Sequence, residues 1–320
     1  MAKTAAGIVA DPIYKEHLTG YGHPECPERF DAIAEALQPL GLKEFAPRKA
    51  TVEEVLLCHT KDYVDKVIED VEACSNSGII NGSYQLSTGD TNICPNSFRI
   101  AMYAAGGILT AVDAVMKGEV KTVFCLVRPP GHHACSDAGM GFCLFDNIAI
   151  GARYAQTQYN IEKVLIVDWD VHHGNGTQEI FYGDPSVFYF STHQHPLYPG
   201  TGSEAETGKD KGVGTTLNCP IFPGSNSRVE VTDAFEKKLV PAMETFQPDL
   251  VMISAGFDGH VNDPLGGLNL TDEDFASLTK IVKEIAEKYA EGRIVSVLEG
   301  GYNLEAIASA ARAHVLALMG

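Results

Sequence analysis

The chain has 320 residues, 45% hydrophobic and 21% charged, enough to bury a large core, and residues 1–320 are expected to form a single domain. Twenty-four Lys and Arg face 42 Asp and Glu, and the resulting net charge of −18 argues against nucleic acid or an anionic membrane surface as partner. No apolar run approaches the roughly 20 residues that span a bilayer, the N-terminal stretch lacks a signal-peptide apolar region, and eight cysteines without a Cys-x-x-Cys pair read as the reduced thiols of a cytoplasmic protein.

Elements follow in chain order. A Val/Ile-bearing strand is expected over 5–10, and helical spacing over 96–117 stops at Gly118. Further strands are expected over 122–127, 163–169, 187–191, 215–219, 249–254 and 293–298, most of them apolar on both faces as in a covered parallel sheet. Thr271 as N-cap and Asp274 in the box position open a helix over 272–291. Its stripe of Phe275, Leu278, Val282, Ile285 and Tyr289 reads as core rather than a cofactor site. An Ala-rich helix over 303–318 closes the chain. Alternating strands and helices imply an α/β fold, one parallel sheet covered on both sides. The long segments 128–146, 192–214 and 256–271 each follow a strand. They therefore fall at the carboxyl edge of the sheet, where open α/β folds bind ligands.

Four strand ends carry unusual residues. These are Arg128-Pro129-Pro130-Gly131-His132-His133, Asp168-Trp169-Asp170-Val171-His172-His173-Gly174, Ser254-Ala255-Gly256-Phe257-Asp258 and Glu299-Gly300-Gly301-Tyr302-Asn303. If the backbone stays extended after strand 163–169, Asp168, Asp170 and His172 point to one side. Two carboxylates and a His are unfavourable side by side in a core without a cation, and such donors suit zinc and neighbouring divalent metals. Each group also has a plain structural use: Asp258 as a helix cap or turn residue, Gly-Gly-Tyr as a tight turn with a packed ring. The combination is what points to chemistry. A two-Asp, one-His site leaves positions open for water and a carbonyl. A His can move the water's proton, and a Tyr hydroxyl can meet an oxyanion. That is the equipment of a metal-dependent amide hydrolase. Gly-x-Ser-x-Gly, a Walker loop and a dinucleotide fingerprint are all missing from the sequence.

With these pieces the sequence resembles the zinc-dependent histone deacetylase family, most like its class II branch and the bacterial amidohydrolases beside it. His23 to Arg29, Gly141 to Asn147, Pro199 to Gly202 and Ser254 to Gly267 carry the resemblance along with the four strand ends. It implies an arginase-like, three-layer α/β/α fold with a roughly eight-stranded parallel sheet. It implies one catalytic Zn²⁺ on Asp170, His172 and Asp258, tandem catalytic histidines His132 and His133, and Tyr302 as oxyanion donor. Asp168 falls where the family orients the first His, and Asn175 beside the second. His133 is then favoured as general base and acid, with His132 mainly electrostatic. Phe142, with Gly141, matches one wall of an acyl-lysine tunnel, Tyr198 falls near the other, Leu265 matches an apolar rim position, and Asp90 a rim Asp that holds substrate backbone. A structural K⁺ is implied at Asp168, Asp170, His172, Ser191 and Thr192.

Three functions follow. The first is deacylation of Nε-acyl-lysine in peptides or proteins. The second is hydrolysis of acetylpolyamines or other small acylated amines, and the acidic charge suits such a cationic substrate or a basic peptide tail alike. The third is a non-catalytic acyl-lysine reader. In the family's polyamine-specific branch a Glu stands at the position of Leu265, so Leu265 weighs toward the first. Self-association stays open.

Overall fold

In the computed structural model residues 6–224 and 226–320 are described; residue 5, the first of an expected strand, lies outside them. The strands are β1 (Ala6–Ala10), β2 (Lys43–Phe45), β3 (Tyr84–Gln85), β4 (Asn92–Ile93), β5 (Thr122–Leu126), β6 (Val164–Asp168), β7 (Val187–Gln194), β8 (Thr216–Ile221), β9 (Leu250–Ala255) and β10 (Ile294–Leu298). The α-helices are α1 (Glu28–Leu37), α2 (Val52–Val55), α3 (Lys61–Ser77), α4 (Ser97–Met116), α5 (Asn147–Tyr159), α6 (Asn175–Phe181), α7 (Ser227–Ala234), α8 (Val240–Phe246), α9 (Asp272–Tyr289) and α10 (Leu304–Met319).

Eight strands form one sheet in the order β2-β1-β5-β10-β9-β6-β7-β8, and every pairing in it is parallel. Strands β5, β6, β9 and β10 are buried at every position, which explains why their sequences are continuous apolar runs. Strand parity assigns the helical layers. A Cβ on Gly107 of α4 would meet Val9 and Val127, and Val9 pairs with Cys125. Phe124 and Ser296, register partners of the opposite parity, instead meet His314 of α10. Adjacent strand positions face opposite ways, so α4, with α5 packed on it, covers one face. Helix α10 covers the other, packed with α1 and α9. Helix α4 is long and apolar enough to cross a membrane by length and composition, but 72% of its most apolar window is buried inside the fold.

Helix α9 begins as expected: the Thr271 N–H donates to Asp274 Oδ2 at 2.8 Å, and its stripe is buried except for the half-buried Tyr289. Strand β2 and the β3-β4 hairpin are additions to the expected set. They are two or three residues long, too short to show a period. Strand β7 runs three residues beyond the expected end, to Gln194.

For function, the strand order is the main result. Strands β5, β10, β9 and β6 are consecutive neighbours at the centre of the sheet. Because they are parallel, their carboxyl ends, and the four unusual sequence segments, lie side by side.

Candidate active site

Strand β6 ends at Asp168, one residue earlier than expected, and the chain does not stay extended. Asp168 Oδ1 accepts the N–H of Asp170 at 3.2 Å, and Asp170 Oδ1 accepts that of His172 at 2.9 Å. These i→i+2 bonds are Asx-type turns, which short acidic side chains favour over continued strand. They send Asp168 to one place and Asp170 with His172 to another, so the three side chains do not act as one row.

Asp170, His172 and Asp258 converge, with one ligand atom from each lying within 4.8 Å of the others. His172 Nδ1 is 3.0 Å from Asp170 Oδ1 and 3.1 Å from Asp258 Oδ2. Their remaining oxygens are held by backbone: Gly300 N donates to Asp170 Oδ2 at 2.8 Å and Val171 N to Asp258 Oδ1 at 2.7 Å. Both carboxylates are buried. Burial, then the charge of Asp170, pushes Asp258 up to about 7. Burial opposes a charge on His172, but hydrogen bonds to Asp170 and Asp258 raise it to about 10. Two carboxylates buried beside an imidazole call for a positive counter-charge. A dication would take that role with the imidazole neutral, and an O, O, N donor set backed by backbone amides fits zinc with open positions left over.

Beside this triad the two histidines have different partners. His132 Nδ1 is 3.0 Å from Asp168 Oδ2, which also accepts the Tyr189 hydroxyl at 3.0 Å. His133 Nδ1 is 2.8 Å from Asn175 Oδ1. The Asn175 amide group faces Cys135 Sγ at 3.3 Å, which fixes its oxygen toward the imidazole. Burial opposes a charge on His132, but Asp168 and Asp170 outweigh it and raise its pKa well above the ordinary value. Burial and then the His132 charge hold His133 well below the ordinary value.

A cavity of about 160 Å³ leads to this centre, lined by Asp90, His133, Gly141, Phe142, His172, Tyr198, Leu265 and Tyr302. The Tyr198 ring stands at 90° to His133 at 5.2 Å, and Phe142 meets Tyr302 edge-on at 6.0 Å. Asp90 Oδ1 accepts the Gly141 N–H at 2.7 Å, and Leu265 is 38% exposed at the mouth. Ser191 is the register partner of Asp168, with Thr192 next on β7, and the Ser191 hydroxyl lies 2.8 Å from His193 Nδ1. Ser191 thus sits in the β6–β7 pairing and Thr192 opposite Cys219 in the β7–β8 pairing, and neither is among the residues that line the cavity.

Several buried groups around the site went unassigned in the sequence. Glu25 binds both Arg128, through Nη2 at 2.7 Å, and Arg29, through Nη1 at 3.0 Å. Arg29 Nε donates to the carbonyl of Gly301 at 2.7 Å. Glu299 Oε2 accepts the N–H groups of Gly131 at 2.7 Å and His132 at 3.2 Å. Asp263 accepts the N–H of Tyr302 at 2.6 Å. All but Tyr189, which supports Asp168, lie inside the quoted motif segments. A buried charge, however, has no local signature that separates it from a surface one.

A histone deacetylase domain model matches residues 23–318. Histone deacetylase 14, chloroplastic, of Arabidopsis thaliana is 40% identical over 93% of this chain and 73% of its own length. A probable deacetylase of Archaeoglobus fulgidus is 40% identical over 93% and 82%, and the polyamine deacetylase HDAC10 of Mus musculus is 39% identical over 92% and 45%. The solved HD domain of HDA15 superposes with a TM-score of 0.90 at 37% identity, covering 99% of this chain and 90% of that one. The chain belongs to the histone deacetylase family. It has that family's arginase-like α/β fold and is a deacetylase, a hydrolase of amide bonds.

Proposed function

We propose that this protein removes acyl groups from Nε-acyl-lysine in peptides or proteins, with Zn²⁺ on Asp170, His172 and Asp258. The carrying observation is the narrow cavity walled by Gly141, Phe142, Tyr198 and Leu265 and ending at His133, His172 and Tyr302. An acylated lysine stem is uncharged, so burying it between aromatic and aliphatic walls costs little. Asp90 at the rim, already bonded to the Gly141 amide, is the group for substrate backbone.

When bound, zinc supplies a Lewis acid that polarises the acyl carbonyl and acidifies water. The chain's own groups do the rest. Asn175 Oδ1 is an acceptor, so His133 carries its proton on Nδ1 and offers the Nε2 lone pair. His133 is therefore the base that takes the water's proton and returns it to the leaving amine. His132 is bound to a carboxylate instead and is suited to remain cationic. It acts through its field. Tyr302 faces the cavity and donates its hydroxyl to the developing oxyanion.

A structural K⁺ at Asp168, Asp170, His172, Ser191 and Thr192 is part of this reading, supported by the pairing of Asp168 with Ser191 at adjoining strands. One continuous eight-stranded sheet supports a single catalytic domain. The eight free cysteines support a reducing compartment such as the cytosol.

The second reading, acetylated polyamines, is favoured by the −18 net charge and the similarity to HDAC10. A polyamine keeps further ammonium groups, which need carboxylates close by, because screening over about 8 Å weakens distant ones. Leu265 supplies none. Comparing kcat/KM on an acetyl-lysine peptide and on acetylspermidine decides between them. The peptide is expected to be the better substrate, with Leu265→Glu shifting the ratio toward the polyamine. A higher value for acetylspermidine with the wild type would reverse the assignment.

A further inference from the structure

Asp263 lies in the β9–α9 loop and is 7% exposed. Both of its oxygens accept backbone N–H groups. Oδ1 takes that of Leu265 at 2.9 Å, and Oδ2 takes those of Tyr302 at 2.6 Å and Asn303 at 3.3 Å. The Leu265 bond closes an Asx turn over Pro264, which stiffens the tunnel rim. The other two bonds cross to a different loop, the one between β10 and α10. There Asn303 caps α10, its Oδ1 accepting the Ala306 N–H at 3.0 Å. A carboxylate at the start of this 16-residue helix also gains from the helix dipole.

Tyr302 is preceded by Gly300 and Gly301, and Gly301 has φ +119°. Such a segment has little conformational restraint of its own. Its orientation has to come from outside contacts. Arg29 provides one, bonded to the Gly301 carbonyl with its guanidinium 5.2 Å from the Tyr302 ring. Gly300 has its own, its N–H on Asp170 Oδ2 and its carbonyl on the Phe257 N–H, but the amide of Tyr302 itself is held by Asp263. We propose that Asp263 is a positioning residue for the deacetylase reaction: its carboxylate ties the substrate-facing rim at Leu265 to the Tyr302 loop and holds the phenol in the cavity. Its hydrogen bonds go to backbone amides and not to a proposed metal ligand, although its charge lies near those of Asp258 and Asp170. The proposal rests on the reading of Tyr302 as oxyanion donor.

The test is a double-mutant cycle on the zinc-loaded holoenzyme with an acetyl-lysine peptide, reading kcat and KM for wild type, Asp263→Asn, Tyr302→Phe and the double variant. A misplacement of about 1 Å costs on the order of 10²-fold, so Asp263→Asn is expected to lower kcat by about 10- to 100-fold while KM moves little. In the Tyr302→Phe background the same change is expected to cost less than about threefold, because the phenol it positions is already gone. Equal losses in both backgrounds would mark Asp263 as merely structural and overturn the proposal, as would full kcat in Asp263→Asn. An unchanged kcat in Tyr302→Phe alone would sink the donor reading and this proposal with it, and is distinguishable from the additive result. Should Asp263→Asn fail to fold, Asp263→Ser keeps one acceptor and is read against the same outcomes.

Discussion

Asn175 shows how a single neutral side chain sets the chemistry of its neighbour. Its oxygen accepts from His133 Nδ1 at 2.8 Å, and its amide group is occupied by Cys135 and the carbonyl of His133. Replacing it with Leu removes the acceptor and frees the imidazole to rotate or change tautomer. General-base catalysis contributes about 10²–10⁴-fold. Asn175→Leu is therefore expected to lower kcat by at least about tenfold, and His133→Ala by most of that range. Stopped assays on an acyl-lysine peptide measure both. Equal activity of Asn175→Leu and wild type would show that the tautomer is set elsewhere. That Asp170, His172, Asp258, His132, His133 and Tyr302 would come together was legible because each follows a strand of one parallel sheet, in segments that resemble the family's. Their division of labour was not. Asp168 leaves the expected row because an Asx turn, invisible as a period, bends the chain after β6.

The turn between β10 and α10 is the element on which the site depends most closely. A Cβ on Gly300 would lie 2.1 Å from Asp258 Oδ2 and 2.6 Å from Asp170 Oδ2. No side chain fits there without displacing a proposed metal ligand. Gly300→Ala is expected to weaken zinc affinity by at least about tenfold, on the scale of losses seen when supporting groups of a metal site are disturbed. Competition with a fluorescent chelator reads this, and wild-type affinity in the variant would show the ligands placed differently. The long elements read well from sequence: α4, α9 and α10 fall within a residue or two of expectation because each carries a sustained apolar face. Strand β2 did not, because three residues at a sheet edge carry no pattern.

Across the whole molecule the parallel sheet gathers four distant segments and surrounds them with neutral buried histidines. Burial lowers His17 to about 3, His59 to about 4 and His314 to about 3. A histidine held below its ordinary value is protonated first in the unfolded chain. Stability then rises with pH between the folded and ordinary values and falls as pH drops below about 6.5. Each such group costs about 1.4 kcal/mol per pH unit in that window. Urea unfolding of wild type and His314→Gln from pH 7.5 to 4.5 isolates one of them. The variant's stability is expected to fall less steeply by about that amount, and identical slopes would contradict the buried neutral assignment. The central claim, that deacylation depends on one metal at Asp170, His172 and Asp258, has a more direct test. Activity on an acetyl-lysine peptide is measured as zinc is titrated into metal-free protein, with bound metal counted by mass spectrometry. Activity is predicted to rise in proportion to bound zinc, to saturate at about one ion per chain, the stoichiometry of a mononuclear catalytic site, and to be absent in Asp258→Ala. Full turnover by the metal-free protein, or by Asp258→Ala, would contradict the account.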